Sequence, residues 1–151
     1  LELLADLGSV VLTDPSEGMI DVAESKIAVD GIADATAIVY DMPGDPPPGA
    51  PFDIAVSMLV LHHVEDTPGL LRSVYAMLAP GGVTALMDLD AEDGSFHGPD
   101  AEGIHHNGFD RHELETLASR VGFVDVATRI VYRLEQDGRT YPVFLLTGRR
   151  S

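Results

Sequence analysis

Residues 51–88, PFDIAVSMLVLHHVEDTPGLLRSVYAMLAPGGVTALMD, decide the fold of this chain. The stretch begins with an apolar, β-branched run at Phe52–Met58, which predicts a buried strand. A hydroxyl cap at Thr67, with proline after it, predicts the start of a helix, and apolar residues then recur at helical spacing up to a Pro-Gly-Gly stop. A second buried strand is predicted at Val83–Asp88. The order strand, loop, helix, strand predicts a right-handed parallel crossover, the unit of an α/β sheet.

The residues before this stretch show the same alternation. Ser9–Thr13 predicts a strand, and a helix is expected from Pro15 to about Ala28. A further strand is predicted at Ala35–Tyr40. The proline-rich residues 44–51 predict a surface connection, because proline lacks the N–H that helices and central strands need. The inner face of the helix is predicted to carry Met19, Ala23 and Ile27.

The residues after Asp88 predict a different arrangement. Residues 90–108 are polar and glycine-containing, and a loop of this length is typical of a functional lid or a disordered segment. Asp110–Val121 predicts a capped helix. Two β-rich runs, Val124–Leu134 and Thr140–Thr147, flank an Asp-Gly turn and predict an antiparallel hairpin. We therefore expect an α/β fold, with a doubly wound, mostly parallel sheet and an antiparallel C-terminal hairpin.

Composition limits the class of protein. The chain has 151 residues, 45% of them hydrophobic, which fits a single domain over residues 1–151. A net charge of -16 disfavours nucleic acid and anionic membranes as partners. That acidity fits either a high-salt habitat or a coding bias. The absence of cysteine excludes disulfides and thiolate chemistry. No apolar run reaches the roughly 20 residues that span a membrane, and no signal-peptide pattern occurs, so a cytoplasmic protein is expected.

Acidic and polar residues stand where the predicted strands end. Ligands of open α/β sheets bind at the carboxyl ends of the strands. An acidic residue there can accept two hydrogen bonds from a ribose diol, which suits Asp14, or a bond from an adenine amino group, which suits Asp41. The competing interpretation is a helix-cap or turn aspartate. In chain order, the predicted strand ends carry Asp14, Asp41, Ser57, Met58 and Asp88.

Two pairs of adjacent histidines lie in predicted loops, His62-His63 and His105-His106. Adjacent side chains in a strand or helix point in different directions, and no pair at i, i+4 carries a zincin glutamate, so no metal is expected. A histidine beside a ligand pocket suits a general base or a substrate contact, because imidazole titrates near neutral pH. Hydrogen bonding within the loop is the competing interpretation. No Gly-x-Ser-x-Gly, Walker or Gly-x-Gly-x-x-Gly motif occurs, which disfavours serine hydrolases and P-loop NTPases.

Five short motifs follow one another in a recognisable order. The first contains D-x-S-x-x-M-x-x-x-A, in which Met19 is the methionine, and the fourth is L-x-P-G-G. In chain order they are Val11–Ala23, Tyr40–Met42, Phe52–Ala55 with Leu61–Val64, Leu78–Gly82, and Gly108–Phe123. Together they resemble the class I S-adenosylmethionine-dependent methyltransferases of small molecules, over nearly the whole chain.

The resemblance implies a Rossmann-like fold and S-adenosylmethionine as cofactor. It implies methyl transfer to an unidentified small-molecule acceptor by in-line displacement, in which positioning supplies most of the rate. The implied cofactor-binding residues are Asp14 at the ribose, Asp41 and Met42 at the adenine, Ser57 and Met58 beside the sulfonium, and Met19. The implied catalytic residues are His62 and His63, and the implied substrate contacts are His105, His106 and Phe109.

One family feature has no counterpart in the sequence. The family's glycine-rich motif and its first strand, which lies centrally in the sheet, are absent, and Leu1, Leu4 and Leu7 predict the end of a helix. We therefore expect an N-terminally truncated chain with the central strand absent, leaving either a gap or direct pairing of its neighbours, and an open edge that favours a homo-oligomer. Two other functions stay open: a non-catalytic methyltransferase-like module or inactive fragment, and a nicotinamide-dependent oxidoreductase.

Overall fold

The computed structural model describes residues 8–43, 51–98 and 101–151. The chain divides into two compact units, Leu1–Pro48 and Gly49–Ser151, called here the N-terminal unit and the C-terminal unit. The helix predicted over residues 1–7 and most of the proline-rich connection lie outside the described residues. The single domain over residues 1–151 stays a prediction.

The N-terminal unit is a β-α-β unit, as predicted. Strand β1 is Val10–Asp14, helix α1 is Glu17–Asp30 and strand β2 is Ala35–Val39. The strands pair in parallel, with Asp14 opposite Val39. The two strands therefore end side by side at one edge of this small sheet.

The inner face predicted for α1 is wrong by one position. Met19 is 54% exposed, whereas Ile20 is 7% exposed. Ala23 and Ile27 are partly covered, as predicted. Ile20, Ala23 and Ile27 stand at i, i+3 and i+7, so they form one stripe along the helix, and Met19 lies about 100° away from Ile20.

The C-terminal unit contains the crossover predicted from residues 51–88. Its sheet has the order β3-β4-β6-β5, with β3 parallel to β4 and β6 antiparallel to both β4 and β5. The parallel crossover and the C-terminal hairpin are thus confirmed. The elements are β3 (Phe52–Met58), a 3-10 turn (Leu61–His63), α2 (Thr67–Met77), β4 (Leu78–Leu89), α3 (Arg111–Val121), β5 (Phe123–Gln136) and β6 (Arg139–Arg150).

The described strands form two separate sheets. Strand β1 pairs with β2 in one, and β3 pairs with β4 in the other. The gap or direct strand pairing expected for a sheet that lacks its central strand stays a prediction.

The core of the C-terminal unit is formed by both of its helices and its two inner strands. Leu71 of α2, Leu86 of β4 and Phe144 of β6 are each at most 2% exposed.

The start of α2 differs from the prediction, because Asp66 rather than Thr67 is the N-cap and accepts the N–H of Gly69 at 2.8 Å. A carboxylate at this position also interacts favourably with the positive, N-terminal end of the helix dipole.

Strand β3 is less buried than predicted. Ile54, Val56 and Met58 share one face of the strand and are 58%, 73% and 61% exposed. The prediction assumed a strand covered on both faces, as in an interior parallel sheet. In the described residues β3 is an edge strand of its sheet, and this face is open.

The long segment after β4 is closed at its base by main-chain hydrogen bonds. The N–H of Phe109 donates to the carbonyl of Leu89, and the N–H of Ala91 donates to the carbonyl of Phe109, both at 3.0 Å. Gly108 makes this closure sterically feasible, since a Cβ there would lie 2.2 Å from the carbonyl oxygen of Asp90. Its φ of +70° is also in the left-handed region.

Replacing Gly108 by alanine should lower the free energy of unfolding by at least about 2 kcal/mol, from a left-handed φ and a backbone clash together. Chemical denaturation measures the loss. Gly103→Ala is the matched control, because Gly103 has a φ of +73° but a Cβ there would lie in open space, with no contact within 4 Å. Equal losses in the two variants would show that the close approach at Gly108 carries no energetic weight.

Candidate functional site

The predicted cofactor residues of the N-terminal unit gather where β1 and β2 end. The N–H of Tyr40 donates to the carbonyl of Asp14 at 3.1 Å, so the chain segments carrying Asp14 and Asp41 are neighbours. The Oδ1 of Asp14 accepts the N–H of Ser16 at 2.8 Å, which is the bond of a turn aspartate. A carboxylate has further acceptor capacity on its second oxygen, so this bond does not use up the side chain. Met42 is half-buried.

The predicted site residues of the C-terminal unit gather where β3 and β4 end. The N–H of Leu59, just after β3, donates to the carbonyl of Met87 at 2.8 Å, which ties the turn to the end of β4. Bonds from His63 N–H to the Val60 carbonyl and from Val64 N–H to the Leu61 carbonyl, both 3.0 Å, then form the 3-10 turn. Ser57 is half-buried and Met58 is 61% exposed.

The 3-10 turn directs His62 into the protein and onto a buried carboxylate. His62 is 1% exposed and Asp88 is fully buried. The Nδ1 of His62 lies 2.7 Å from the Oδ1 of Asp88. Asp88 also accepts the N–H of Leu89 at 2.7 Å and the N–H of His62 at 3.3 Å. Three donors suit an ionised carboxylate, which can only accept, so the hydrogen of His62 is on Nδ1 and Nε2 presents its lone pair.

A third histidine, His97, completes this cluster. Its Nε2 lies 3.1 Å from the Nε2 of His62. Because His62 presents a lone pair there, the hydrogen of this bond belongs to His97. The ring of His97 is also held by Phe96, at a centroid distance of 4.7 Å. Asp88, His62 and His97 thus form a continuous hydrogen-bonded chain from the interior to the surface.

Contacts with the hairpin and with Glu92 fix the segment that carries His97. The ring of Phe96 packs edge-on against Tyr141 at 5.0 Å, and Gln136 Nε2 donates to the Phe96 carbonyl at 2.7 Å. The Tyr141 hydroxyl lies 2.9 Å from the Oγ of Ser95. Glu92 accepts the N–H groups of Ser95 and Phe96. His97 is therefore positioned by packing on the fixed hairpin.

His63 lies beside His62 despite following it directly in sequence. Their ring centroids are 4.1 Å apart, and those of His63 and His97 are 5.8 Å apart. The Nδ1 of His63 donates to the carbonyl of Gly103 at 2.9 Å, which leaves the lone pair of this ring on Nε2. The premise that adjacent histidines diverge is wrong for this turn. His63 is exposed, so the cluster is open on its side.

Electrostatics favour a neutral ring at His97. Burial lowers the pKa of His97, and the neighbouring His62 and His63 lower it further. A neutral imidazole is the form that accepts a proton or binds a metal ion.

The predicted substrate residues have different surroundings. The Nε2 of His106 lies 3.0 Å from the carbonyl of Val64 and 3.2 Å from the Oγ1 of Thr67. A carbonyl only accepts, so this nitrogen carries a hydrogen and joins the long segment to the start of α2. Phe109 packs against the His106 ring at 5.1 Å. His105 is exposed.

The sequence does not predict the contacts that Asp88 and His97 make with His62. Asp88 was identified only as a strand end, although an aspartate between apolar neighbours in a buried strand is rarely left without a partner. His97 gives no comparable signal, because its proximity to His62 depends on the folding of a segment 35 residues away along the chain.

Comparison with known proteins decides the family. The model of a methyltransferase-domain family matches residues 2–128. This chain belongs to the class I S-adenosylmethionine-dependent methyltransferase family. The resemblance inferred from the five motifs is confirmed, and the Rossmann-like α/β fold with it.

Individual methyltransferases show the extent of the similarity. Phosphoethanolamine N-methyltransferase of Triticum aestivum is 32% identical over 98 residues, which are 63% of this chain and 18% of that protein. A ubiquinone/menaquinone biosynthesis C-methyltransferase of Shewanella frigidimarina is 32% identical over 87 residues, 57% of this chain and 35% of that protein. The chain thus spans well under half of either curated relative.

A solved structure supports the same fold. An S-adenosylmethionine-dependent methyltransferase from Methanosarcina mazei superposes with a TM-score of 0.77 at 20% identity, over 99% of this chain and 85% of that one. As for membranes, none of the helices formed by residues 8–43, 51–98 and 101–151 has the length and apolar character needed to cross a bilayer.

Proposed function

We propose that the protein transfers the methyl group of S-adenosylmethionine to a small-molecule acceptor. The observation that carries this proposal is the family match over residues 2–128. The reaction is an in-line displacement at the sulfonium methyl group, so the protein contributes mainly by positioning two reactants and by accepting a proton.

The residues proposed to bind the cofactor follow the carboxyl ends of β1, β2 and β3, with Met19 of α1 in addition. Asp14 accepts hydrogen bonds from the ribose hydroxyls, and Asp41 with Met42 binds the adenine. The pairing of β1 with β2, which makes the ends of these strands neighbours, supports this assignment. Ser57 and Met58 at the end of β3 flank the sulfonium, and Met19 on the first turn of α1 adds an apolar contact. The exposure of Met19 and Met58 leaves both side chains accessible to a ligand.

The histidine cluster, formed by His62, His63 and His97, is assigned the role of taking the proton that the acceptor loses. His62 is the general base, and Asp88 orients its ring and stabilises the imidazolium ion. Because His62 is buried, the proton reaches it by a relay: Nδ1 of His97 takes the proton that the acceptor loses, while the hydrogen on Nε2 of His97 passes to the lone pair of His62. His63, which is exposed beside them, contacts the acceptor or serves as an alternative base.

The acceptor is a small molecule that approaches from the long segment after β4. One curated relative is named as an N-methyltransferase of phosphoethanolamine and another as a C-methyltransferase of quinone biosynthesis, so related domains serve different acceptor atoms. The residues assigned to acceptor contact are His105, His106 and Phe109. His106 acts mainly by holding the long segment after β4 in place through its bond to the Val64 carbonyl.

Replacing Asp14 by alanine should weaken S-adenosylmethionine binding by about 1–3 kcal/mol, the scale of a hydrogen bond to a charged group. Isothermal titration calorimetry measures the change. Asp30→Ala, which removes an exposed carboxylate at the end of α1, is the matched control and should leave the affinity unchanged. Equal affinity of the Asp14 variant and the wild type would refute the ribose assignment.

A further inference from the structure

We propose that His62, His63 and His97 bind one divalent transition-metal ion through three imidazole nitrogens. One ring nitrogen of each residue can be chosen so that the three nitrogens lie within 4.8 Å of one another. The histidines come from two segments that the fold brings together, the 3-10 turn and the segment after β4. The proposal differs from the sequence-based expectation that the chain binds no metal.

The hydrogen bonds of His62 and His63 leave the Nε2 nitrogen of each ring available to bind a metal ion. His62 and His63 both use Nδ1–H for bonds to protein acceptors, Asp88 Oδ1 at 2.7 Å and the Gly103 carbonyl at 2.9 Å. Each therefore presents the Nε2 lone pair, and a metal ion binds the lone pair of a neutral imidazole. His97 becomes a ligand at Nε2 when its hydrogen moves to Nδ1, a change of tautomer that releases no proton.

The bond from His62 to Asp88 has the form found around metal-bound histidines. Such histidines almost always donate their second ring N–H to a carboxylate or a main-chain carbonyl, which fixes the ring and increases the basicity of the ligand nitrogen. His62 makes the first kind of bond and His63 makes the second. The carboxylate also places a negative charge close to the cation, in a chain whose net charge is -16.

The distances fit a small borderline cation. With zinc–nitrogen bonds of about 2.0–2.1 Å, two ligand nitrogens of a tetrahedral site lie roughly 3.3 Å apart. The separation of 3.1 Å between Nε2 of His62 and Nε2 of His97 is close to that value. One ring nitrogen of His63 lies within 4.8 Å of the chosen nitrogens of His62 and His97, so metal binding requires a shift of this exposed side chain about its bond to the Gly103 carbonyl.

The chemistry of the ligands selects the kind of ion. Three imidazoles and no oxygen or thiolate ligand favour Zn²⁺, Co²⁺, Ni²⁺ or Cu²⁺ over Mg²⁺ and Ca²⁺, which prefer oxygen. Three protein ligands with an open side leave the fourth position for water or another small ligand. Because one lone pair on His62 cannot hold both a metal ion and a proton, a bound ion also removes His62 from its proposed role as a base.

Calorimetric titration of the untagged, chelator-treated protein with Zn²⁺ tests the site without the methyl donor, so the result does not depend on methyl transfer. We expect one ion per chain, and tetrahedral Co²⁺ absorption in the visible when Co²⁺ is the probe. His63→Ala and His97→Ala should each weaken binding by more than the roughly 10- to 100-fold that loss of an outer-shell partner costs. Both residues are at least partly exposed, so neither variant removes a core side chain.

His112→Ala is the matched control, since His112 is an exposed histidine on α3 outside the cluster. It should retain wild-type affinity and stoichiometry. Circular dichroism confirms that all three variants are folded. No binding by the wild type, or equal affinities of His97→Ala and His112→Ala, would overturn the proposal.

Discussion

Replacement of Asp88 by alanine is expected to lower the free energy of unfolding by at least about 3 kcal/mol, because three buried donors lose their acceptor and one unsatisfied buried donor costs roughly 1–3 kcal/mol. Asp88 is fully buried and accepts three hydrogen bonds, from His62 Nδ1, His62 N–H and Leu89 N–H. Without the carboxylate, the Nδ1–H of a ring that is 1% exposed has no partner and no access to water. The cavity left by the side chain adds to the loss.

Denaturation by urea, followed by circular dichroism, measures this change. Asp125→Ala is the matched control, because Asp125 pairs with Arg149 at 2.7 Å but its side chain is 72% exposed. An exposed ion pair contributes roughly 0–1 kcal/mol, so the control should change little. Equal changes in the two variants would mean that the bonds of Asp88 do not stabilise the fold, and that the buried carboxylate does not hold the histidine cluster in place.

Replacement of His62 by glutamine is expected to lower kcat for methyl transfer by about 10²–10⁴-fold, the usual contribution of a general base. Glutamine fills part of the volume and can donate its amide N–H to Asp88, so the fold is retained. It cannot accept the acceptor's proton. The KM for S-adenosylmethionine should stay near the wild-type value, since His62 is not assigned to the cofactor.

Transfer of a labelled methyl group measures this effect, with phosphoethanolamine as the first acceptor and simple amines, alcohols and thiols after it. A chelator in every assay keeps metal ions away from the lone pair of His62. His112→Gln is the control and should keep its activity, because His112 lies on the exposed surface of α3. A His62 variant with wild-type kcat would assign the base to another residue.

The order of the elements could be predicted from local sequence alone. The strand at Phe52–Met58 and the turn at Asp137-Gly138 depend on neighbouring residues, and both are as predicted. The N-cap was predicted one residue late, because Asp66 and Thr67 are adjacent and both residue types cap helices. Burial was harder to predict: Val56 is 73% exposed because β3 lies at a sheet edge, and sequence periodicity does not report which strands are edges.

The candidate site could be predicted only in part. Strand ends are local features, so the residues at them can be named from the sequence. The cluster depends instead on contacts between distant segments: His62 with Asp88 is separated by 26 residues, and His62 with His97 by 35. A single sequence indicates the residue types at both ends of such a contact but not that the fold brings them together.

We propose that this protein is a methyltransferase that uses S-adenosylmethionine. Calorimetric titration of the protein with S-adenosylmethionine, and separately with NADH, tests it most directly. We expect one saturable site for S-adenosylmethionine, weakened in Asp14→Ala, and no heat with NADH. Absence of binding would favour a non-catalytic methyltransferase-like module, and binding of NADH alone would favour an oxidoreductase; either result would contradict the proposal.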